Sequence, residues 1–483
     1  MKFTRKVLCV CLCLILLSGC NTVKLKTFKK SALPHVTLNF CWIGEENPIT
    51  KAVLKEVADK SNLNIDLNFK WLSTDDYYKN IEDTLTNSAT PIDAFIVGGS
   101  DDPNGLSYAK LARKGELLDL TTLFPANCSN IIKNLTKDDL DAIKVKGRIY
   151  AIPSISPITN SDGIIVREDL MKKYNLSDIN SLDDLGVYLA DVAKDEKGIV
   201  PLTTIPFDTS FYARLYGYAV LDNYTSIVYK YDDPKMKLIP WEDTDAFRDV
   251  MTKLTGWIKK GYLMSPQENT LTEAAAYFNS YNYVEKDSTM DFAFNGGSVA
   301  VHTYLFGKDL PLIKLNPIAT VSDNGGIAIS SRSKNAVRTL KFLNWVQGSK
   351  DNDNLLVYGR PGKDYTLVNG QMSYPSNEML YLLWNSSPFK NINYELDKTS
   401  VNTLNSRLEY APSKGFFPDY FQMQDAANAR SDTFSKNLYH ALYQGSLKGA
   451  DINTIRAYIK SAAGTDTLIT NLQAQLNDFL NSK

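Results

Sequence analysis

The chain has 483 residues, with 53 Lys or Arg against 54 Asp or Glu, a length that suits two or three domains. The near balance of charge gives no sign of a nucleic-acid partner. Only three histidines are present, which leaves little material for a zinc site or a histidine-based catalytic triad.

The N-terminus has the pattern of an export signal. Lys2, Arg5 and Lys6 precede an apolar run over residues 7–17, which is too short to span a bilayer, since spanning takes about 20 apolar residues. A charged start, a short apolar core and small residues at a cleavage site are typical of a secretory signal peptide. No later window is apolar over a comparable length, so we expect no second membrane segment.

The end of this run, Leu17-Ser18-Gly19-Cys20, resembles the lipobox of bacterial lipoproteins. The resemblance implies that residues 1–19 are removed and that Cys20 is acylated and becomes the new N-terminus. Two or more acyl chains hold a protein stably on a membrane, so the chain would be anchored at the extracytoplasmic face of the cell membrane without spanning it. An ordinary signal peptide with a chance cysteine is the alternative. Residues 20–34 are polar and lack periodicity, which predicts a flexible tether.

The positions of the six cysteines argue against a disulfide framework. Cys9, Cys11 and Cys13 fall in the signal peptide, which leaves Cys41 and Cys128 for the folded part. A bridge between these two remains open, and two separately buried thiols are the favoured interpretation.

Strand and helix patterns alternate over residues 36–97. Apolar residues alternate with polar ones over 36–42 and again over 63–71, which is strand periodicity. A helical pattern at 49–60 separates them, Ser73 to Asp76 can cap a second helix, and 91–97 is a near-continuous apolar strand. This order predicts a parallel α/β sheet, in which ligands bind at the carboxyl ends of strands. The loops after Trp42 and Val97 are therefore candidate site loops.

The rest of the chain repeats the theme. Strands are predicted at 163–166, 298–301 and 325–329, helices at 179–193, 245–260 and 336–347, and a mostly helical C-terminal region. The run Asp351-Asn352-Asp353-Asn354 has oxygen ligands that suit calcium, but it lacks the glycine and the closing glutamate of an EF-hand loop. We interpret it as a turn at a helix end.

Eight short segments spread over the chain carry a further resemblance. They are GELLDLT (115–121), KGRIYAIP (146–153), VREDL (166–170), SLDDL (181–185), FNGGSVA (294–300), YGRPGKDY (358–365), GFFPD (415–419) and QAQLNDF (473–479). In this order they resemble the extracellular solute-binding proteins of ABC importers, in particular the large LipO-like lipoprotein branch that carries oligosaccharides.

The resemblance implies an α/β fold of two lobes, like that of periplasmic binding proteins, each a mainly parallel sheet flanked by helices, with hinge crossovers. It places the first lobe in residues 35–153 and 324–395 and the second in 157–320 and 396–483, with crossings near 154–157 and 320–322. It implies capture of a carbohydrate, above all an oligosaccharide, by lobe closure, and delivery to the permease of an ABC transporter. We expect a monomeric binding protein rather than an enzyme, without cofactor or metal.

A sugar site combines aromatic rings, which cover the C–H faces of the sugar, with polar groups that pair with its hydroxyls. The candidate ligand-binding residues are Trp42, Glu45, Gly99, Ser100, Asp101, Tyr212, His302, Tyr304, Phe417 and Asp419, the last two by resemblance alone. Trp42 lies in phase with core residues, the helical spacing of Tyr212 favours core packing, and His302 also suits a core position. For these three residues both interpretations stay open.

Three other functions remain open at this point. They are a peptide-binding lipoprotein of an ABC importer, a secreted carbohydrate-active enzyme, and a surface protein that keeps the fold but has lost transport. A glycosidase needs two carboxylates that face one cleft, whereas Glu45-Glu46 and Asp101-Asp102 are adjacent in sequence, which points their side chains apart. No Gly-x-Ser-x-Gly, His-Glu-x-x-His or phosphate-loop motif is present.

Overall fold

A computed structural model of the chain describes most of the folded part. The described residues are 33–46, 48–87, 89, 91–98, 108–153, 163–203, 209–222, 224–264, 273–279, 288–293, 297–304, 312–314, 326–368, 371–373, 408–443, 445–461 and 464–482. The expected signal peptide, Cys20 and nearly all of the tether lie outside them, as do both expected lobe crossings.

Eighteen strands are described, most of them short. They are β1 (Val36–Ile43), β2 (Ile65–Leu72), β3 (Ala94–Val97), β4 (Ala151–Pro153), β5 (Gly163–Arg167), β6 (Ile199–Thr203), β7 (Tyr218–Val220), β8 (Ile227–Lys230), β9 (Ile239–Pro240), β10 (Leu263–Met264), β11 (Glu273–Asn279), β12 (Ser288–Ala293), β13 (Gly297–Tyr304), β14 (Leu312–Lys314), β15 (Gly326–Ile329), β16 (Thr366–Val368), β17 (Gln371–Ser373) and β18 (Leu408–Tyr410).

Sixteen α-helices are described. They are α1 (Pro48–Ser61), α2 (Thr74–Asn87), α3 (Tyr108–Arg113), α4 (Leu123–Asn127), α5 (Ser129–Ile132), α6 (Lys137–Ala142), α7 (Glu168–Lys173), α8 (Leu182–Asp195), α9 (Thr209–Leu215), α10 (Asp245–Lys259), α11 (Ala336–Val346), α12 (Lys350–Tyr358), α13 (Gln424–Asp432), α14 (Leu438–Tyr443), α15 (Ile452–Lys460) and α16 (Thr465–Asn481). A 3₁₀ turn covers Trp241–Asp243 and a π-helical turn covers Thr433–Asn437. Among the described helices, none combines the length and the apolarity that crossing a bilayer requires.

The first lobe is built on a five-stranded sheet with the order β2-β1-β3-β15-β4. β1 pairs in parallel with β2 and β3, as the sequence predicts. β15 runs antiparallel to both β3 and β4, so the sheet is mixed rather than purely parallel. β15 is the strand with which the chain comes back from the second lobe, and its reversed direction follows from the edge at which it re-enters.

The second lobe is built on a six-stranded sheet with the order β10-β6-β11-β5-β13-β12. β6 is parallel to β10 and β11, whereas β5 is antiparallel to β11 and β13. Both sheets are flanked by helices, so the predicted α/β class is confirmed, although the sheets are more mixed than expected. The residue bounds of the two lobes remain a prediction.

Helices begin where the sequence places capping residues. The Ser73 hydroxyl accepts the N–H of Asp76 (3.2 Å), and the Ser181 hydroxyl accepts the N–H of Asp184 (3.1 Å). Ser349 caps α12 in the same way. The run Asp351 to Asn354 therefore lies in the first turn of α12, and the interpretation as a turn at a helix end is corrected to a helix start.

A hydrophobic cluster around the first sheet contains both remaining cysteines. Cys41 and Cys128 are free and buried, which confirms the favoured interpretation. Burial raises the pKa of the Cys41 thiol to about 11 and that of the Cys128 thiol to about 12. Both side chains therefore act as small apolar core residues.

An antiparallel meander of β7, β8 and β9 joins the second lobe to a third cluster. Val220 and Val228 belong to the cluster of the second lobe, whereas Leu221 and Tyr229 belong to the third cluster, which α16 completes. This alternation is the ordinary two-residue period of a strand. The meander thus has both faces buried and is fixed to the second lobe.

A fully buried ion pair ties the C-terminal helices to this meander. Arg430 of α13 donates two hydrogen bonds to Glu242, at 2.8 and 2.7 Å, and both side chains are 0 % exposed. The same guanidinium donates to the carbonyl oxygens of Thr225 (2.5 Å) and Ser226 (3.1 Å). The charges are therefore compensated on every side, as a buried pair requires.

We expect Glu242→Leu to lower the free energy of unfolding of this part by about 3–5 kcal/mol, because it leaves the Arg430 charge buried without its carboxylate. Urea unfolding followed by circular dichroism would measure the loss.

The matched control is Lys137→Met, which breaks the ion pair of an 88 % exposed side chain with Asp141 and should leave the urea midpoint unchanged. The double variant Glu242→Leu with Arg430→Met should recover much of the stability. A single variant that unfolds at the midpoint of the control would contradict this role.

Candidate functional site

One edge of the first sheet collects the ends of four strands. Ile43, Leu72 and Val97 end the parallel strands β1, β2 and β3, and Pro153 ends β4. Gly326, the first residue of β15, pairs with both Val97 and Pro153, so the chain returns at the same edge. A ligand at the carboxyl ends of these strands therefore lies beside the residues that lead to the second lobe.

The second sheet has a corresponding edge. β6, β10 and β11 end there at Thr203, Met264 and Asn279, and β13 ends there at Tyr304. Gly163, the first residue of β5, pairs with Asn279. The chain thus enters the second sheet at the edge where four of its strands have their carboxyl ends.

One short stretch of chain leads from the first edge to the second. It runs from Pro153 to Gly163, and a chain of ten residue steps spans roughly 35 Å at most, even when fully extended. Pro153 and Gly163, which lie at the two carboxyl edges, are therefore no more than roughly 35 Å apart, and the two edges together are the candidate site.

A column of stacked aromatic rings on β1 and β2 leads from the core to the first edge. Phe40 stacks on Phe69 (centroids 4.8 Å apart), and Phe69 stacks on Trp71 (5.1 Å). Trp42 meets Phe69 edge to face at 6.0 Å and is 1 % exposed. The structure thus buries the Trp42 ring in the core beside the column, because β1 is flanked by strands on both sides whereas β2 is the outermost strand.

Trp71 is an edge residue that the sequence analysis did not single out. It pairs in register with Trp42 and is only half-buried. Among the described residues, its indole N–H is a buried donor without a hydrogen-bond partner. The apolar alternation over residues 63–71 could have identified Trp71, because it places Trp71 at the end of a strand and on its apolar face, as the alternation over 36–42 does for Trp42.

The chain turns over Trp71 at Gly44. Gly44 donates its N–H to the Leu72 carbonyl (2.9 Å) and has a φ of 130°, a backbone conformation that favours glycine. A Cβ at this position would lie 3.4 Å from Cε3 of Trp71. The glycine therefore lets the loop cross the indole ring, and Glu45 follows as an exposed residue at the edge.

The loop after β3 contains the predicted residues Gly99, Ser100 and Asp101, which lie outside the described residues. On its far side α3 begins at Tyr108, whose N–H donates to the Gly98 carbonyl at 3.1 Å. The Tyr108 hydroxyl donates to the Ile143 carbonyl (2.8 Å), and burial raises its pKa. Both ends of this loop are therefore held at the edge of the first sheet.

The predicted residues of the second lobe are divided between core and edge. Tyr212 lies in α9, is 2 % exposed and packs edge to face on Phe211, so it is part of the core of the second lobe. His302 pairs with Val166 in the register of β13, and Tyr304 is the last residue of that strand. His302 and Tyr304 therefore lie at the carboxyl end of β13, whereas Tyr212 does not lie at this edge.

Phe417 and Asp419 lie between the first lobe and the third cluster. Phe417 is 4 % exposed and meets the Tyr108 ring edge to face at 5.6 Å. The Asp419 carboxylate lies 3.8 Å from Arg113 of α3, and the Asp419 backbone N–H donates to the Gln475 side chain at 2.8 Å. Their contacts join parts of the protein, and a contact with ligand remains a prediction for both.

The described part of the edge offers aromatic surface and exposed carboxylates rather than a reactive cluster. Within the described ranges, no group of three His, Cys, Asp or Glu side chains could hold a metal ion. Backbone groups at strand ends, together with aromatic surface, suit the binding of a ligand.

Comparison with known proteins gives the same architecture. The family model described as bacterial extracellular solute-binding protein matches residues 44–353. A carbohydrate ABC transporter substrate-binding protein of Streptococcus pneumoniae is 22 % identical over 458 aligned residues, with coverage of 89 % of this chain and 87 % of that one.

Solved structures of solute-binding proteins are similar over nearly the whole chain. The N-glycan transport solute-binding protein NgtS of S. pneumoniae superposes with a TM-score of 0.69 at 18 % identity, covering 92 % of this chain and 99 % of that one. FusA, an ABC-transporter substrate-binding protein of S. pneumoniae in complex with kestose, superposes with a TM-score of 0.58 at 14 % identity, covering 92 % and 100 %. Because the family model matches residues 44–353, which is more than half of the chain, this chain belongs to the bacterial extracellular solute-binding proteins.

Proposed function

We propose that the chain is a lipid-anchored extracytoplasmic receptor that captures an oligosaccharide by lobe closure and delivers it to the permease of an ABC transporter. The observation that carries this proposal is the position of both carboxyl edges at the ends of one short link. A ligand bound there touches two lobes that a hinge can bring together, and it favours the closed form by its extra contacts.

Relatives support the choice of a carbohydrate. The curated relative is a carbohydrate ABC transporter substrate-binding protein. NgtS has been solved in complex with Man5GlcNAc and FusA in complex with kestose, and both of these ligands are oligosaccharides. The half-buried Trp71 ring and the exposed Glu45 carboxylate at the edge supply the two kinds of group that a sugar needs.

The remaining parts of the proposal rest on the sequence. The lipobox-like segment supports anchoring through Cys20, which would keep the receptor near its permease and raise the effective concentration there. The lobe bounds at 35–153 with 324–395 and 157–320 with 396–483, the monomeric state and the absence of catalysis belong to the same proposal.

We expect a glycan to raise the melting temperature of the protein. At 100 times its dissociation constant, a ligand adds about 2.7 kcal/mol to the free energy of unfolding. A thermal-shift screen would compare Man5GlcNAc, kestose, oligopeptides and divalent cations, and chromatography of each glycan afterwards would detect products. Product formation would point to an enzyme, and a shift by oligopeptides alone would overturn the ligand class.

We expect Gly44→Ala to weaken binding of the glycan found in that screen by roughly tenfold. Alanine at this φ is strained by about 1–3 kcal/mol, the free loop relieves the strain by leaving the conformation that binds, and a cost of 1.4 kcal/mol to restore that conformation corresponds to a factor of ten. Isothermal titration calorimetry would measure the change in affinity.

The matched control is Gly198→Ala, which also places alanine at a positive φ, here 92°, directly before β6 at the amino end of that strand. It should cost stability and leave the affinity intact. Equal affinities for the two variants would remove the Gly44 loop from the site.

We expect Cys20→Ser to release the protein from the membrane fraction into the medium and to abolish incorporation of labelled palmitate, because the thiol is the expected acylation site. The neighbouring variant Asn21→Ala should stay anchored and labelled. A Cys20→Ser protein that remains membrane-bound would show that another segment holds it.

A further inference from the structure

The segment of residues 408–420 contacts the first lobe on one side and the third cluster on the other. It begins with β18, which pairs in parallel with β14, and it ends at the GFFPD motif and Tyr420. β14 is the last described strand before β15 of the first lobe, so the 408–420 segment starts beside the strand from which the chain returns to the first lobe.

Arg113 fixes the end of the segment to the first lobe. Its guanidinium donates to the backbone carbonyl oxygens of Phe417 (2.5 Å) and Pro418 (3.4 Å), and it lies 3.8 Å from the Asp419 carboxylate. The Phe417 side chain is buried in the cluster of the first lobe against Tyr108. One side chain thus holds three consecutive residues while an aromatic ring anchors them in the core.

Helix α6 of the first lobe holds the start of the segment. Lys414 pairs with Asp138 at 2.6 Å, and the Tyr410 hydroxyl donates to the Asp139 carboxylate. Gly415 comes so close that a Cβ would lie 3.1 Å from the Asp141 carbonyl oxygen. The attachment to the first lobe is therefore a line of contacts from α6 to α3.

The other side of the segment is held equally well. Ser413 accepts a hydrogen bond from the Tyr229 hydroxyl at 2.9 Å, and Tyr420 donates to the buried Asp222 carboxylate. Phe416 packs on Phe479 of α16 with the centroids 5.5 Å apart. Tyr229 lies in β8 and Asp222 follows β7, so both belong to the meander of β7, β8 and β9, which is fixed to the second lobe.

We propose that Arg113 is a positioning residue that fixes the 408–420 segment as the pivot of lobe closure, so that its contacts with α3 and α6 persist while the lobes rotate. This inference rests on the proposed function, since it concerns the closure by which a ligand is captured. The buried Phe417 ring supports it, because separation of the segment from the first lobe would expose that ring to water. A line of attachment between two rigid parts restricts their relative motion to rotation about that line.

Single-molecule fluorescence energy transfer on the full-length chain in detergent tests the pivot without any ligand. Dyes attached through azido amino acids would replace Lys55 of α1 and Lys194 of α8, which are 79 % and 77 % exposed and lie in different lobes. We expect Arg113→Met to widen the distribution of interlobe distances roughly twofold, because a hinge that loses an attachment samples more orientations. Arg113→Lys should restore much of the narrow distribution, since it keeps a donor and the charge.

Lys137→Met is the matched control, because Lys137 lies on α6, the helix that holds the start of the segment, and forms its ion pair with Asp141 of the same helix. The distance distribution of this variant should equal that of the original protein. Lys414→Met serves as the second variant if Arg113→Met does not fold, and it should also widen the distribution. Unchanged widths in folded Arg113→Met and Lys414→Met proteins would overturn the pivot. Failure of the original protein to bind any glycan would instead overturn the proposed function, so the two failures are distinguishable.

Discussion

The chain leaves the first sheet at Pro153 and re-enters it at Gly326, and both residues lie at the edge where the parallel strands β1, β2 and β3 end. The returning strand β15 must therefore run antiparallel to β3, which makes the sheet mixed. The same constraint puts the links between the lobes beside the strand ends at which α/β proteins bind ligands. The candidate site loops and the links between the lobes are thus neighbours by topology, which is the arrangement that the proposed lobe closure requires.

Stacked aromatic rings connect the core of the first lobe to the candidate site. The stacked rings of Phe40, Phe69 and Trp71 extend from the buried cluster to the carboxyl end of β2. Gly44 lets the loop after β1 pack against the Trp71 ring. Close-packed protein interiors have little freedom to rearrange. A loop that rests on such a column is held in place before a ligand arrives, which reduces the entropy lost on binding.

Directional polar contacts join the larger parts of the molecule. The Arg430–Glu242 pair fixes the C-terminal helices to the meander, and Arg113 fixes the 408–420 segment to the first lobe. A guanidinium has five donors in a planar fork, so it specifies the orientation of its partners as well as their distance. Apolar surfaces such as that around Phe417 add burial, while the charged groups select the register in which the parts meet.

The sequence by itself determined the strands around Trp42, the helix cap at Ser73 and the resemblance to the family, and it favoured two separately buried thiols, because period, capping chemistry and motif order can be read directly along the chain. It also pointed to the GFFPD motif, but as a ligand contact. Only the tertiary structure decided that Trp42 and Tyr212 face the core and that Trp71 lies at the edge. It alone brought Phe417 to Arg113, 304 residues away along the chain. Those outcomes depend on which distant elements become neighbours. A period of two or of 3.6 residues predicts which face of a strand or helix is buried, but it does not predict which element packs against that face.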